Sequence, residues 1–293
     1  MQRKNTYIKN LQIANDTMYY IYEYIDTDIN IDELALSFGV SKFHFHKLFK
    51  EIMEKNIYET IKSIRLQKAS NLLLTNKYST ITQIASMCGY SSQTSFIRSF
   101  KQRFHQTPKQ WRNGGYKDYS SNIFKNSRIN CIEEKFKNIQ AKIIKTKPLQ
   151  TYYIRHRGYL TGEVKQVWQK MQAWIYTNDI KEYEQIAIYH DNPAITPHED
   201  CHYVAGVIPK DKTDLSNTNL PSFYTPEDLY ATFDIKGKLG DVLRFAQWAY
   251  HDWLPKSGFE TTTNPPYAIF KKNQFLEEDE TFEATYYLPI RYV

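Results

Sequence analysis

The segment SSQTSFIRSFK (residues 91–101) sets Gln93, Thr94, Ser95, Ile97, Arg98 and Lys101 at the spacing of one helical face. Such a set can read DNA: Arg bonds the guanine edge, Gln the adenine edge, an exposed Ile touches a thymine methyl, and Lys neutralises a phosphate. A second segment, SKFHFHKLFK (41–50), offers Lys42, Phe43, His46, Lys47 and Lys50 in the corresponding places. From Thr60 through Lys117 there are ten Lys and Arg residues and no acidic one. A surface of one sign suits a polyanion. The bias is local, because residues 1–115 hold 16 Lys+Arg against 9 Asp+Glu while residues 116–293 hold 22 against 23.

Both segments belong to a repeat. In IDELALSFGVSKFHFHKLFK (31–50) and ITQIASMCGYSSQTSFIRSFK (81–101), Leu34, Ala35 and Gly39 match Ile84, Ala85 and Gly89. After one extra residue in the second copy, Phe45, Phe49 and Lys50 match Phe96, Phe100 and Lys101. Each copy reads as a short helix, a turn at Gly, and a longer helix capped by Ser41 or by Ser91/Ser92, which is a helix-turn-helix. Phe45, Leu48, Phe49 and Ile52, like Phe96, Phe100 and Phe104, recur every three or four residues and face inward. Between the copies, IYETIKSIRLQKASNLLLT (57–75) predicts one helix with Ile61, Ile64, Leu72 and Leu73 inward. At 1.5 Å per residue it spans about 28 Å. That length holds two reading helices near one DNA turn apart within a single chain, a spacing that dimers usually provide.

The stretch NGGYKDYSSNIFKNSRIN (113–130) is rich in Gly, Ser and Asn and predicts a linker at 114–136, between domains at 1–113 and 137–293. The second domain is duplicated: YYIRHRGYLTGEVKQVWQKMQAWI (152–175) matches ATFDIKGKLGDVLRFAQWAYHDWL (231–254), pairing Gly158 with Gly237 and Trp174 with Trp253. Each half reads strand, helix, strand, strand, through EQIAIYH and CHYVAGVI in the first and PYAIFKK and TFEATYYLPI in the second. Two such units predict an α+β domain, an antiparallel sheet with helices on one side and a concave seam between the halves.

Over residues 5–113 the chain resembles the AraC/XylS family of bacterial transcription regulators, on SKFHFHKLFK, IASMCGYSSQTSFIRSFKQRFHQTPKQWR and the closing Pro108 to Arg112. The resemblance implies an all-α double helix-turn-helix domain and double-stranded DNA at a promoter as partner. It also implies RNA polymerase as a second partner and, for the regulator, an activator. The family's DNA-reading positions fall on Phe43, His46 and Lys47 in the first helix and on Gln93, Thr94, Ser95 and Arg98 in the second.

Residues 137–293 resemble the GyrI-like effector-binding domain, on HDNPAITPHED, YATFDIKG, WLPKSGFE and the terminal YLPI, an arrangement of the Rob type. This resemblance implies a small lipophilic or aromatic effector held in an aromatic cleft. Where the family carries a pocket Glu, this chain has Ala268 within Tyr267, Ala268, Ile269, Phe270. The expected ligand is therefore neutral and flat, held by Tyr153, Trp174, Tyr267 and Phe270. Glu283, with Thr285 and Tyr287 on its face of the last strand, and Glu163 at a helix start are the candidate replacements for the missing carboxylate. Some GyrI-like relatives resemble small-molecule hydrolases with that Glu as base, so a scavenger or hydrolase tethered to DNA is the alternative.

Other chemistry finds little support. His190, Asp191, His198, Cys201 and His202 lie close together, yet at no regular zinc spacing. No glycine-rich phosphate loop, nucleophile elbow or His-Glu-x-x-His occurs, so neither an enzyme nor a cofactor or metal is expected. Cys88, Cys131 and Cys201 are odd in number and far apart, as reduced thiols are. No stretch approaches the ~20 apolar residues of a membrane helix. The expected place is the cytoplasm, at the nucleoid, with no membrane partner.

Overall fold

The computed structural model describes residues 2–127, 129, 133–159, 161–210, 215 and 218–292. It divides into two compact units, Met1–Asn113 and Gly114–Val293.

The first unit is helical: α1 (Gln2–Glu23), α2 (Ile31–Ser37), α3 (Lys42–Met53), α4 (Ile57–Thr75), α5 (Ile81–Met87), α6 (Gln93–Phe104) and the short α7 (Pro108–Gln110). Helices start where the sequence offers a cap. Ser41 Oγ accepts from His44 N at 3.3 Å, Ser92 Oγ from Ser95 N at 3.2 Å, and Thr80 forms a reciprocal capping box with Gln83. The pairs α2–α3 and α5–α6 are the two helix-turn-helix copies, joined by α4 over the predicted span. Phe45, Leu48 and Phe49 pack with Ile13, Ile21, Ile57 and Ile61 in the first core. In the second copy Phe96, Phe100 and Phe104 form a run of ring contacts that ends on Trp111, whose indole N–H donates to the Ser70 carbonyl of α4.

The two turn glycines share a left-handed backbone but have different surroundings. Gly39 has a φ of 67° and open space where a Cβ would stand. Gly89 has a φ of 73°, and a Cβ there would lie 2.7 Å from the Ile25 carbonyl oxygen and 2.8 Å from Arg65 Nε. Arg65, from α4, donates through Nε to the Ile25 carbonyl at 3.0 Å and through Nη2 to the Thr27 carbonyl at 2.6 Å. The second turn thus sits on a guanidinium that also ties down the segment after α1.

In the second unit the described part of the predicted linker contains a helix and a 3-10 turn. Residues 116–126 form α8 (Tyr116–Asn126), which buries Ser120, Ile123 and Phe124, and Phe136 is buried at the end of a 3-10 turn, Glu133–Phe136. Composition alone concealed a helical stripe at Tyr116, Ser120, Ile123 and Phe124. Phe124 and Phe136 both belong to the unit's main core. Cys88 and Cys201 are buried and form no disulfide, and Cys131 lies outside the described residues.

The strands are β1 (Lys142–Lys145), β2 (Gln150–Arg157), β3 (Tyr183–Tyr189), β4 (His202–Pro209), β5 (Ser222–Tyr224), β6 (Leu229–Lys238), β7 (Phe259–Thr261), β8 (Tyr267–Lys272) and β9 (Thr281–Tyr292). They form an antiparallel sheet in the order β1-β6-β9-β8-β3-β4-β2-β5, with β7 on β9. The two predicted halves are mirrored in that order, β2-β4-β3 against β8-β9-β6, and meet where Ala187 of β3 pairs with Ala268 of β8. Helices α9 (Thr161–Thr177) and α10 (Asp241–Trp248) fill the crossovers, and α11 (Leu254–Ser257) follows α10. Alternation sorts the side chains. Tyr189, Tyr203, Phe233, Phe270 and Tyr286 pack in one core with Trp168 of α9 and Phe245 of α10, whereas Tyr153, Ile186, Ile188, Tyr230 and Tyr267 form a separate cluster on the other face.

Gly39→Ala should cost ~1 to 2 kcal/mol, the penalty of the left-handed backbone alone. Gly89→Ala should add ~1 to 3 kcal/mol of overpacking to that. Urea unfolding of the two variants checks it, and equal losses would contradict the close approach at Gly89.

Candidate DNA interface and ligand cavity

On α6, Gln93, Thr94, Ser95, Arg98 and Lys101 are exposed and Ile97 is half-buried. On α3, Phe43, Lys47 and Lys50 are exposed, Phe43 by 79%, while His46 is half-buried with its ring 5.6 Å from that of Tyr58. All ten predicted DNA-contacting residues therefore lie on the second helices of the two copies, away from the buried Phe45, Phe49, Phe96 and Phe100.

The two faces differ electrostatically. Lys42 pairs with Asp32 at 2.8 Å, and Lys47 lies 3.9 Å from Glu51, so acids partly offset α3. Among the described residues Arg98 and Lys101 have no acidic partner, which leaves α6 the more positive helix. Gln93 is positioned by Thr82, whose hydroxyl donates to Gln93 Oε1 at 2.8 Å.

The acid-free run from Thr60 to Lys117 is not a single binding surface. Arg65 bonds main-chain oxygens, and Lys68 is buried beside Asp26 at 3.4 Å. Arg103 donates to Ser63 Oγ at 2.7 Å and to the Ser63 carbonyl, and Arg112 donates to the Ser79 carbonyl at 2.8 Å. These four cations tie α4, α6 and the segment after α7 to neighbouring helices and to the segments between them. Sequence counting could not separate them from the exposed ones, because charge says nothing about which carbonyls a guanidinium will reach.

In the second unit a cavity of about 300 Å³ opens in the seam between the halves. Val164 of α9 and Val242 and Leu243 of α10 form its walls, with Tyr159, Tyr189 and Tyr203 beside them and Gln274 and Phe275 closing it. Its polar groups are neutral. Burial pushes the Tyr159 and Tyr203 phenols well above their ordinary range and the Tyr189 phenol upward, so all three keep their protons. Tyr203 Oη accepts from Trp168 Nε1 at 2.9 Å, and Tyr159 Oη donates to the Asp191 carbonyl at 3.4 Å. Gln274 is buried, and its Oε1 has no hydrogen-bond partner among the described residues.

The predicted ligand residues do not meet in this cavity. Tyr153 and Tyr267 lie on the sheet face away from the helices, with Tyr287 stacked on Tyr267 at 4.5 Å. Trp174 and Phe270 lie on the helix face, Trp174 donating to Thr218 Oγ1 at 2.7 Å and Phe270 against Trp168 at 5.9 Å. One ligand cannot touch both pairs through the sheet. Glu283 is exposed on the strand face opposite Phe282, Ala284 and Tyr286, and Glu163 is exposed 3.4 Å from His156 Nε2. Neither carboxylate lines the seam cavity. Ala268 is fully buried in the helix-face core, in a row of small residues with Ala187 and Ala205. Sequence reasoning missed Tyr159, Tyr189, Tyr203 and Gln274. The first three could have been found by following alternation from the Gly158 turn and along the two strands of the first half.

The histidine-rich loop forms no metal centre among the described residues. Asp191 Oδ2 accepts from both the main-chain N–H and Nδ1 of His202 at 2.9 Å, His198 Nε2 lies 3.1 Å from the Pro193 carbonyl, and burial holds the His190 and His198 rings below their ordinary pKa.

These features define a helix-turn-helix protein with a second unit built around a small-molecule cavity. Residues 34–114 match a helix-turn-helix domain and residues 140–291 match the GyrI-like small molecule binding domain. The second match covers more than half of the chain, which belongs to the GyrI-like family and carries an AraC-type helix-turn-helix domain ahead of it, as both resemblances implied. Over 114 residues the chain is 32% identical to the xylose operon regulatory protein of Escherichia coli (strain K12), spanning 38% of this chain and 29% of that one. Over 112 residues it is 38% identical to an uncharacterised HTH-type transcriptional regulator of Staphylococcus aureus (strain COL), spanning 36% and 15%. A solved transcriptional regulator from Chromobacterium violaceum, 25% identical, matches with a TM-score of 0.33 over 36% of this chain and 92% of that one. The chain thus spans less than a third of the length of these curated relatives. Among the described residues no helix is long and apolar enough to cross a membrane.

Proposed function

We propose that this chain is a transcription regulator that reads DNA with α3 and α6 and answers to a small neutral ligand in the seam of its second unit. The observation that carries the reading is the α6 face, where Arg98 and Lys101 stand exposed beside Gln93 and Thr94 with no acidic partner among the described residues. Arg98 bonds a guanine edge, Gln93 and Thr94 contact neighbouring bases, and Ile97 meets a thymine methyl. On α3, Phe43, His46 and Lys47 face bases, and Lys50 and Lys101 neutralise phosphates. RNA polymerase is the second partner, the regulator acts as an activator, and the protein works in the cytoplasm at the nucleoid. The hydrolase alternative lacks its base, because Ala268 stands where that chemistry needs Glu and, among the described residues, no carboxylate lines the cavity.

The seam cavity supports a flat, largely apolar ligand with one hydrogen-bond donor. Among the described residues, three neutral phenols and aliphatic walls offer a cation no countercharge, so its desolvation would go uncompensated. The buried Gln274 Oε1, without a hydrogen-bond partner among the described residues, suits an N–H or O–H group.

Arg98→Ala should weaken binding to the specific site by ~1 to 3 kcal/mol and relax preference at one base pair. Lys101→Ala should weaken specific and random sites alike and lower the salt slope by about one. Titration of labelled duplexes across salt concentrations reads both, and loss on all sequences alike for Arg98→Ala would refute base reading.

For the seam, calorimetry with indole and its quaternary analogue, an N-methylated aryl ammonium, should favour indole. Leu243→Trp, which fills the cavity, should abolish that binding, and Gln274→Leu should weaken it by ~1 to 3 kcal/mol. Tighter binding of the ammonium would overturn the neutral-ligand reading.

A further inference from the structure

A second cavity lies in the same unit, lined by none of the residues of the seam. It measures about 540 Å³, within the range that encloses a drug-sized molecule. Among the described residues its lining carries four cations, Lys117, Lys137, Arg244 and Lys256, and one carboxylate, the exposed Asp252. Indole rings complete the wall: Trp248 and Trp253 stand nearly perpendicular to Phe233, at 6.1 Å and 5.0 Å, and both line the cavity.

The cations are of two kinds. Lys117, Lys137 and Lys256 are exposed. Arg244 is half-buried and fixed: its guanidinium lies 4.0 Å from the centre of the Phe124 ring, donates to Gln247 Oε1 at 3.1 Å and bonds the Ile129 carbonyl. Gln247 Oε1 and the Ile129 carbonyl are uncharged acceptors, so these two bonds leave the positive charge of the guanidinium in place. The buried His251 adds no charge at neutral pH, because burial and the nearby Lys117 push its pKa down to about 3. The imidazole also packs edge-on to Tyr116 of α8 at 4.8 Å.

A concave site with this balance disfavours cations and gives a neutral guest no charge-based advantage. It rewards a guest that is flat enough to lie against indole and negatively charged enough to compensate the lysines. We propose that this cavity is a second ligand site, distinct from the seam, for a planar aromatic anion bearing a carboxylate or sulfonate. The rings hold the aromatic body, Arg244 gives a preset positive charge, and the three lysines close on the anionic group from the rim. Lys117 and Ser121 belong to α8, the helix that follows the first unit in sequence, so a bound anion engages that helix directly.

A basic cleft in a protein proposed to bind DNA could instead serve the duplex, and the test separates the two. The full chain is titrated calorimetrically with 2-naphthalenesulfonate and with the neutral 2-naphthalenemethanol. The sulfonate should bind at least about tenfold more tightly. The double variant Lys137→Glu, Lys256→Glu, at two exposed positions, should weaken the sulfonate by about tenfold or more and leave the neutral analogue unchanged. Leu243→Trp, in the seam, should leave sulfonate binding intact. Equal affinity for the two probes overturns the proposal, as does sulfonate binding lost with Leu243→Trp but kept in the double variant. So does a double variant that binds duplex DNA less tightly with a reduced salt slope while its sulfonate affinity stays unchanged. The seam could fail to bind indole without altering any of these outcomes.

Discussion

The guanidinium of Arg65 joins parts of the first unit that the sequence leaves far apart. It comes from α4, bonds the Ile25 and Thr27 carbonyls beyond α1, and leaves no room for a side chain at the second turn, where Gly89 lies against it. Two main-chain oxygens that have no helical partner are satisfied at once, and a charged donor makes such bonds stronger than a neutral one would. The first copy needs no such contact, since Gly39 faces open space. The second turn is thus placed against α4 and the segment after α1, and the proposed reading of two DNA grooves by one chain depends on where α6 stands.

In the second unit the governing constraint is the period of two along each strand. A sheet separates neighbours in sequence more completely than distance does, because successive side chains face opposite sides. Tyr267 and Phe270 are three residues apart and share no face: the first packs with Tyr153 and Tyr230, the second with Trp168. The lining of the seam cavity is consequently chosen by parity and by nearness to the N-terminal ends of α9 and α10, where Val164, Val242 and Leu243 stand.

Much of this was legible in the sequence. The duplicated turn glycines, the serine caps and the three-and-four spacing of Phe residues marked both helix-turn-helix copies, since local propensity and tertiary packing agree there. The internal repeat likewise marked two strand-helix-strand-strand halves. The strands β1, β5 and β7 were not anticipated, being short segments whose pairing is decided by their neighbours in the sheet. Residues 116–126 were read as linker because Ser, Asn and Gly hid the few apolar positions that bury α8. The site was less legible than the fold. Which lysines and arginines stay exposed depends on side-chain reach: Arg103 and Arg112 turn inward to Ser63 and Ser79, while Arg98, on the same helix as Arg103, does not. Burial of three phenols around one cavity depends on strand register, which no single strand encodes.

The central claim is that one chain supplies both reading helices. Hydroxyl-radical footprinting of the full chain on its selected site, with the stoichiometry of the same complex measured by sedimentation, tests it most directly. The account predicts one chain per duplex and two protected major-groove faces on one side of the DNA, roughly one helical turn apart. Two chains per site, or protection confined to a single groove, would contradict it.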